Sequence, residues 1–215
     1  MLKPLIIWGA SGHAKVLREF VCPQGYELVA VFDQNPQTPP PFPSIPLYIG
    51  RDGFAQWRLQ HGPGEVAGLI AIGGDRGKDR CELQAFLLDQ GVRMITAIHP
   101  TAFVAGDALI GQGCQVLTQA VVGVEVRLGD QCIINTAACV DHECTLGDGV
   151  HLAPGARLAG CVEVGRNVFI GLGALVLPRI KIGAGAIIGA GAVVTKDVPE
   201  RMVAYGIPAR PIRPT

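Results

Sequence analysis

Counting in sixes from Val104 to Val194 lands on an aliphatic residue sixteen times in succession, through Ile110, Val116, Val122 and Leu128 and so on without a slip. Two positions before each of these stands a residue no larger than isoleucine, usually Ala, Cys or Val, as at Cys114, Ala120 and Val126. Gly follows at Ile110-Gly111, Leu128-Gly129, Leu146-Gly147, Val164-Gly165 and Ile182-Gly183, a spacing of eighteen. A period of six fits neither the helical 3.6 nor plain strand alternation, so it reports a repeated supersecondary unit, the parallel β-helix. Three hexads make one triangular coil, with the aliphatic residue pointing into an interior too narrow for a large neighbour. Coils stack at strand spacing, so the run predicts roughly five coils and a prism about 25 Å tall. With no insertion in residues 104–194, no long loop leaves the prism, and any chemistry must lie on its outer faces or between prisms.

The repeat fills only the second half of a 215-residue chain, which predicts two domains, 1–98 and 99–215. The hydrophobic fraction of 49% is taken up by the prism interior, for no apolar run approaches eighteen residues and residues 5–8 are too short for a signal-peptide core. A formal net charge of zero without a basic cluster argues against a nucleic-acid partner or membrane insertion and for a cytoplasmic chain. Seven cysteines without a CxxC pair predict no disulfide and no thiolate metal site. Cys114 and Cys132, eighteen apart, are expected to stack as reduced core fillers.

Residues 1–98 alternate strand and helix patterns. Strand patterns cover 5–8, 28–32, 47–49, 68–72 and 92–96, and helical ones 13–20, 51–60 and 78–90. The proline-rich 36–46 segment reads as an irregular loop. This order predicts a small Rossmann-like α/β domain with a parallel sheet. Ligands of such sheets bind beyond the carboxyl ends of the strands, where Gly9 to His13, Asp33 and Gly73 to Arg76 fall. The full dinucleotide fingerprint is absent, since Lys15 stands where a third glycine is needed, and no Tyr-x-x-x-Lys pair supports hydride transfer.

Within the repeat, His142 sits in Asp141-His142-Glu143, two residues past an aliphatic ring position, and so points outward. An imidazole beside carboxylates is a candidate general base, because a carboxylate accepting from one ring nitrogen fixes the tautomer and raises basicity at the other. Spacing leaves open which carboxylate does this. One coil above is Gly160, so nothing bulky covers the ring from that side. Zinc chemistry built on three histidines lacks ligands, as the repeat holds only His142 and His151, and no metal is expected.

The hexapeptide run resembles the left-handed β-helix of acyltransferases. Together, Gly9-Ala-Ser-Gly-His-Ala-Lys15 and Asp141-His-Glu-Cys144 resemble the sugar O-acyltransferase, NeuD-type family. This family includes sialic acid O-acetyltransferases and nucleotide-4-amino-sugar N-acetyltransferases, and the resemblance covers nearly the whole chain. It implies a homotrimer with active sites between prisms, a sugar-nucleotide acceptor held by the N-terminal domain, and acetyl-CoA as co-substrate. It further implies His142 as base, Glu143 as its carboxylate, Asn135 in the active site, and Ser11, Gly12, His13 and Asp33 as nucleotide-sugar contacts. His151, Gly160, Leu172 and Ala190 match positions lining the acetyl-CoA channel. Ala190 departs from the family's glycine, and Trp8 stands where a small residue is more usual. The tail, residues 203–210, is expected to close over the coenzyme, and a backbone N–H near Gly160 is the expected oxyanion donor.

The leading expectation is direct N-acetylation of the 4-amino group of a nucleotide-linked amino-deoxy sugar, without an acyl-enzyme because no Ser or Cys stands at a recognised nucleophile position beside His142. The alternatives are O-acetylation of a sialic acid or related sugar and a non-catalytic trimeric sugar-nucleotide binder.

Overall fold

A computed structural model describes residues 2–62 and 64–215. The chain divides into two compact units, residues 1–72 with 82–97 and residues 73–81 with 98–215.

The first unit is built on β1 (Lys3–Trp8), α1 (Gly12–Val21), β2 (Tyr26–Asp33), β3 (Leu47–Ile49), α2 (Gly50–His61), β4 (Val66–Ile70), β5 (Val92–Met94) and the part of α3 (Gly77–Asp89) from Glu82 on, the start of that helix belonging to the second unit. The strands form one parallel sheet in the order β3-β2-β1-β4-β5. Every strand and helix expected from the sequence is present, with ends moved by one to two residues. Because β4 is buried along its whole length and β1 over Leu5 to Trp8, both read as continuous apolar runs rather than alternating ones. Trp8 is part of this core, stacked on Phe32 with ring centroids 5.3 Å apart. It therefore fills the sheet's packing face. Gly9, at φ 111°, turns the chain where any Cβ would run into the Ala71 carbonyl, so glycine is required there. Residues 36–46 carry neither helix nor strand.

The second unit is a parallel β-helix. Two-residue strands recur every six residues from Phe103–Val104 to Val193–Val194, and each pairs with a strand eighteen residues away, as Val121 with Cys139 and Cys139 with Arg157. Three ladders result: one holds Cys139–Val140 and Arg157–Leu158, a second Thr145–Leu146 and Glu163–Val164, a third His151–Leu152 and Phe169–Ile170. The ring aliphatics and their small partners form one continuous buried core. Between strands the chain turns through a left-handed residue, again every six positions. Gln119, Glu125, Gln131, Ala137, Glu143, Cys161, Asn167 and Arg179 all have φ between 54° and 62°.

The core cysteines also satisfy backbone. Cys114, Cys132 and Cys144 are fully buried, and their thiols donate to the carbonyls of Gly129, Gly147 and Ala159 at 3.0, 3.2 and 3.2 Å. All seven cysteines are free thiols. Residues 73–81 pack onto the prism in a way the sequence did not reveal. Arg80 is fully buried and donates from Nη2 to Gly149 O at 2.6 Å and from Nε to Gln131 O at 3.2 Å. At the far end the coils are continued by Met202–Gly206, paired with Ala209–Pro214 in an antiparallel hairpin. Among the described residues no helix is long and apolar enough to cross a membrane.

Candidate active site

His142 and Glu143 lie in the turn between the first and second ladders, with Glu143 at the left-handed position, φ 58°. His142 Nδ1 is 2.8 Å from Glu143 Oε2. An ionised carboxylate only accepts, so Nδ1 carries the proton and Nε2 presents a lone pair. Asp141, the other adjacent carboxylate, is occupied by the backbone N–H of His142 at 2.8 Å. The structure thus resolves which carboxylate orients the ring. Gly160, one coil on, passes beneath the imidazole, and a Cβ there would overlap Cε1 and Nε2.

The sequence reading missed a third side chain at this corner. Cys161 is one coil above Glu143; its backbone N–H donates to His142 O at 2.9 Å and its thiol to Glu143 Oε2 at 3.7 Å. The signal was available, because 143 and 161 differ by the same eighteen residues that bring every other ladder pair together. Hydrogen bonds from His142 and then Cys161 hold the Glu143 carboxyl below the ordinary carboxylate range.

Asn135 and His151 form a second group, on the third ladder and its following turn. His151 is buried, edge-on to Phe169 with centroids 5.3 Å apart. Its Nδ1 lies 3.1 Å from the Gly74 carbonyl and its Nε2 3.1 Å from Asn135 Nδ2. The carbonyl must be given a proton, so Nδ1–H donates and Nε2 accepts from the Asn135 amide. The other end of that amide, Oδ1, accepts from Thr136 N–H at 2.8 Å. Leu172 and Ala190 are exposed and stack eighteen residues apart on the turn after the third ladder, with Gly191 N–H bonded to Leu172 O at 2.8 Å. Within one chain, then, His142, Glu143 and Gly160 share one corner of the triangle, and Asn135, Leu172 and Ala190 another.

In the first unit, Asp33 closes the strand ends. Its Oδ2 accepts from Ala10 N–H at 2.8 Å and its Oδ1 from Asn35 N–H at 2.9 Å. Ser11 is the N-cap of α1 but makes no side-chain cap bond, and Ser11 and Gly12 are exposed with His13 half-buried behind them. A helix N-terminus with uncovered Ser and Gly is the arrangement that accepts a phosphate.

Two family models match the chain, the PglD N-terminal domain over residues 4–81 and the bacterial transferase hexapeptide (six repeats) over 161–196. A perosamine N-acetyltransferase from Caulobacter crescentus, solved with CoA and GDP-perosamine as a histidine variant, is 34% identical. The match covers 99% of this chain and 98% of that one, with a TM-score of 0.89. The chain belongs to the NeuD-type sugar acyltransferase family. The acetyltransferase domain of PglB from Neisseria gonorrhoeae is 32% identical over 98% of this chain and 100% of its own, TM-score 0.85. WeeI from Acinetobacter baumannii is 27% identical over 98% and 100%, TM-score 0.79. No curated protein matches by sequence. As a NeuD-type protein the chain is an acyltransferase, and its hexapeptide prism is the left-handed β-helix.

Proposed function

We propose that the chain transfers an acetyl group from acetyl-CoA to the 4-amino group of a nucleotide-linked amino-deoxy sugar, with His142 as general base. The observation that carries this reading is the Glu143-bound tautomer of His142, which leaves Nε2 as an acceptor on an open corner. The neutral amine attacks the thioester carbonyl, its surplus proton passes to Nε2, the carbon–sulfur bond breaks, and the proton is returned to the departing CoA sulfur. Relatives at 31 to 34% identity are described with CoA and GDP-perosamine or with acetyl-CoA, which supports both the donor and the acceptor class.

Transfer is direct in this reading. Cys161, although close to Glu143, has the carboxylate rather than the His142 base as its partner. Nothing on this corner activates it as a nucleophile.

Ser11, Gly12, His13 and Asp33 hold the nucleotide sugar, while His151, Gly160, Leu172 and Ala190 line the coenzyme path. The placement of His142 and of Leu172 with Ala190 on different corners of one prism supports a homotrimer, in which a corner of one protomer faces the other corner of its neighbour. The domains 1–98 and 99–215 divide acceptor binding from acyl transfer, and a cytoplasmic location fits substrates of this kind.

The test is thiol release from acetyl-CoA with a panel of nucleotide amino-sugars and sialic acids. Turnover with a 4-amino-sugar nucleotide supports the proposal. Release only with a sialic acid replaces it with O-acetylation, and none with any acceptor leaves a binding protein. Incubation with acetyl-CoA alone should give no acetyl adduct in the intact mass.

A further inference from the structure

Around His142 the prism assembles three different metal-ligating atoms, of which the proposed reaction uses two. A ring nitrogen of His142, a carboxylate oxygen of Glu143 and Cys161 Sγ all lie within 4.8 Å of one another, and Glu143 and Cys161 line a groove of ≈ 880 Å³ that also runs past Thr145 and Lys181. Imidazole, carboxylate and thiolate together form the donor set of a borderline-soft divalent cation, and three protein ligands leave one position open. Tetrahedral zinc, with bonds of about 2.0 to 2.3 Å, spaces its ligand atoms about 3.3 to 3.6 Å apart. The observed separations are 2.8 Å for Nδ1 to Oε2 and 3.7 Å for Sγ to Oε2. The nitrogen and sulfur lie within 4.8 Å, so binding draws these two together, and the side chains of His142 and Glu143 are free to move, being about half exposed at 48% and 54%.

The scaffold holds these donors ready. Glu143 and Cys161 occupy equivalent left-handed turn positions of successive coils, φ 58° and 60°, tied by the backbone bond from Cys161 to His142. Among non-glycine residues Asn, Asp and His are enriched at such φ.

We propose that His142, Glu143 and Cys161 form an inhibitory site for zinc or a similarly thiophilic divalent cation. The proposal rests on His142 being the base. Coordination at Nδ1 moves the imidazole proton to Nε2, and the thiol proton is released to solvent. Nε2 then becomes a donor and no longer accepts the proton of the attacking amine. Glu143 is drawn from the ring to the metal in the same step.

The test uses the purified full-length protein, Cys161→Ser, and Cys161→Asn, the last chosen because asparagine suits a left-handed turn. Cd²⁺ titration should give a thiolate-to-metal charge-transfer band, one equivalent of which is missing from both variants. In the acetyl-transfer assay, Zn²⁺ should inhibit the unaltered protein at a concentration at least about tenfold lower than either variant, a difference of about 1.4 kcal/mol in binding, and a chelator should reverse it. A Cd²⁺ band unchanged by both substitutions, or equal zinc sensitivity in all three proteins, would overturn the site. A Cys161-dependent band in a protein that acetylates no acceptor would leave the cation site standing and instead refute the proposed function.

Discussion

The imidazole of His142 lies where a β-carbon of Gly160 would be, so the residue one coil above the base is kept at glycine by the base itself. The overlap would fall on Cε1 and Nε2, the atoms nearest the proposed proton transfer. Gly160→Ala must therefore displace the ring, which being half exposed can swing outward without disturbing the coil. General-base catalysis contributes about 10²- to 10⁴-fold. Gly160→Ala is expected to lower kcat by about 10²-fold while circular dichroism and the unfolding midpoint stay near those of the parent. Retained kcat would show that the ring position is not critical.

Glu143 gives a graded counterpart. His142→Ala removes the base and should abolish transfer, whereas Glu143→Gln keeps an acceptor for Nδ1–H but removes its charge. The expected loss is about tenfold, within the range of a charge-assisted bond reduced to a neutral one. The pH dependence follows from the lowered carboxyl. A carboxylate with a depressed folded pKa stabilises the fold above its unfolded value of 4.5, and that contribution is lost as pH falls through the lower folded value. Glu143 is thus ionised throughout neutral and mildly acidic pH, and an acid limb of kcat/KM above pH 5 belongs to another group. A limb that remains in Glu143→Gln confirms this; a limb that disappears with the carboxylate refutes it.

How far the sequence reaches depends on whether a residue's role is periodic. The hexad aliphatics, the eighteen-residue stacking and the alternation of strands and helices in the first unit were legible because burial imposes a period, and the ends of the first unit's elements differ by at most two residues. Gly160 above His142 was legible for the same reason. Arg80 was not, because it sits on a helix face whose partners, the carbonyls of Gln131 and Gly149, are 51 and 69 residues away and leave no mark in the pattern. The choice of Glu143 over Asp141 needed side-chain torsions. Cys161 lies eighteen residues after Glu143, so the register alone places the two side by side.

The buried thiols give the fold an alkaline limit. Burial pushes the Cys144 thiol up to about 11, and a hydrogen bond with Cys114 together with burial raises Cys132 well above its ordinary value. An acid whose folded pKa is raised stabilises the folded state fully below its unfolded value of 9.0, and that contribution is lost as pH rises from there through the folded value. Denaturant midpoints should accordingly fall between pH 9 and 11, and fall less steeply in Cys144→Ala. Equal slopes in the two proteins would remove the thiol as the cause. At pH 8, alkylating reagents should spare Cys114, Cys132 and Cys144 until the protein is unfolded.

His151 ties the segment around Gly74 to the turn at Asn135. Its Nδ1–H holds the Gly74 carbonyl and its Nε2 receives the Asn135 amide, both at 3.1 Å. His151→Leu preserves much of the volume against Phe169 but leaves a half-buried carbonyl and an amide N–H without this partner. Such a loss costs about 1–3 kcal/mol where the group is fully buried and less where water reaches it, so about 1–3 kcal/mol in total is expected for the two half-buried groups. Asn135→Ala should cost less, because it vacates only the Nε2 side. If the two residues act as one chain of bonds, the double variant will be less destabilised than the sum of the single ones by about 0.5 kcal/mol or more. Denaturant titration of the four proteins measures this coupling. Strict additivity would mean that His151 acts on Gly74 alone and that the orientation of Asn135 is set by Thr136.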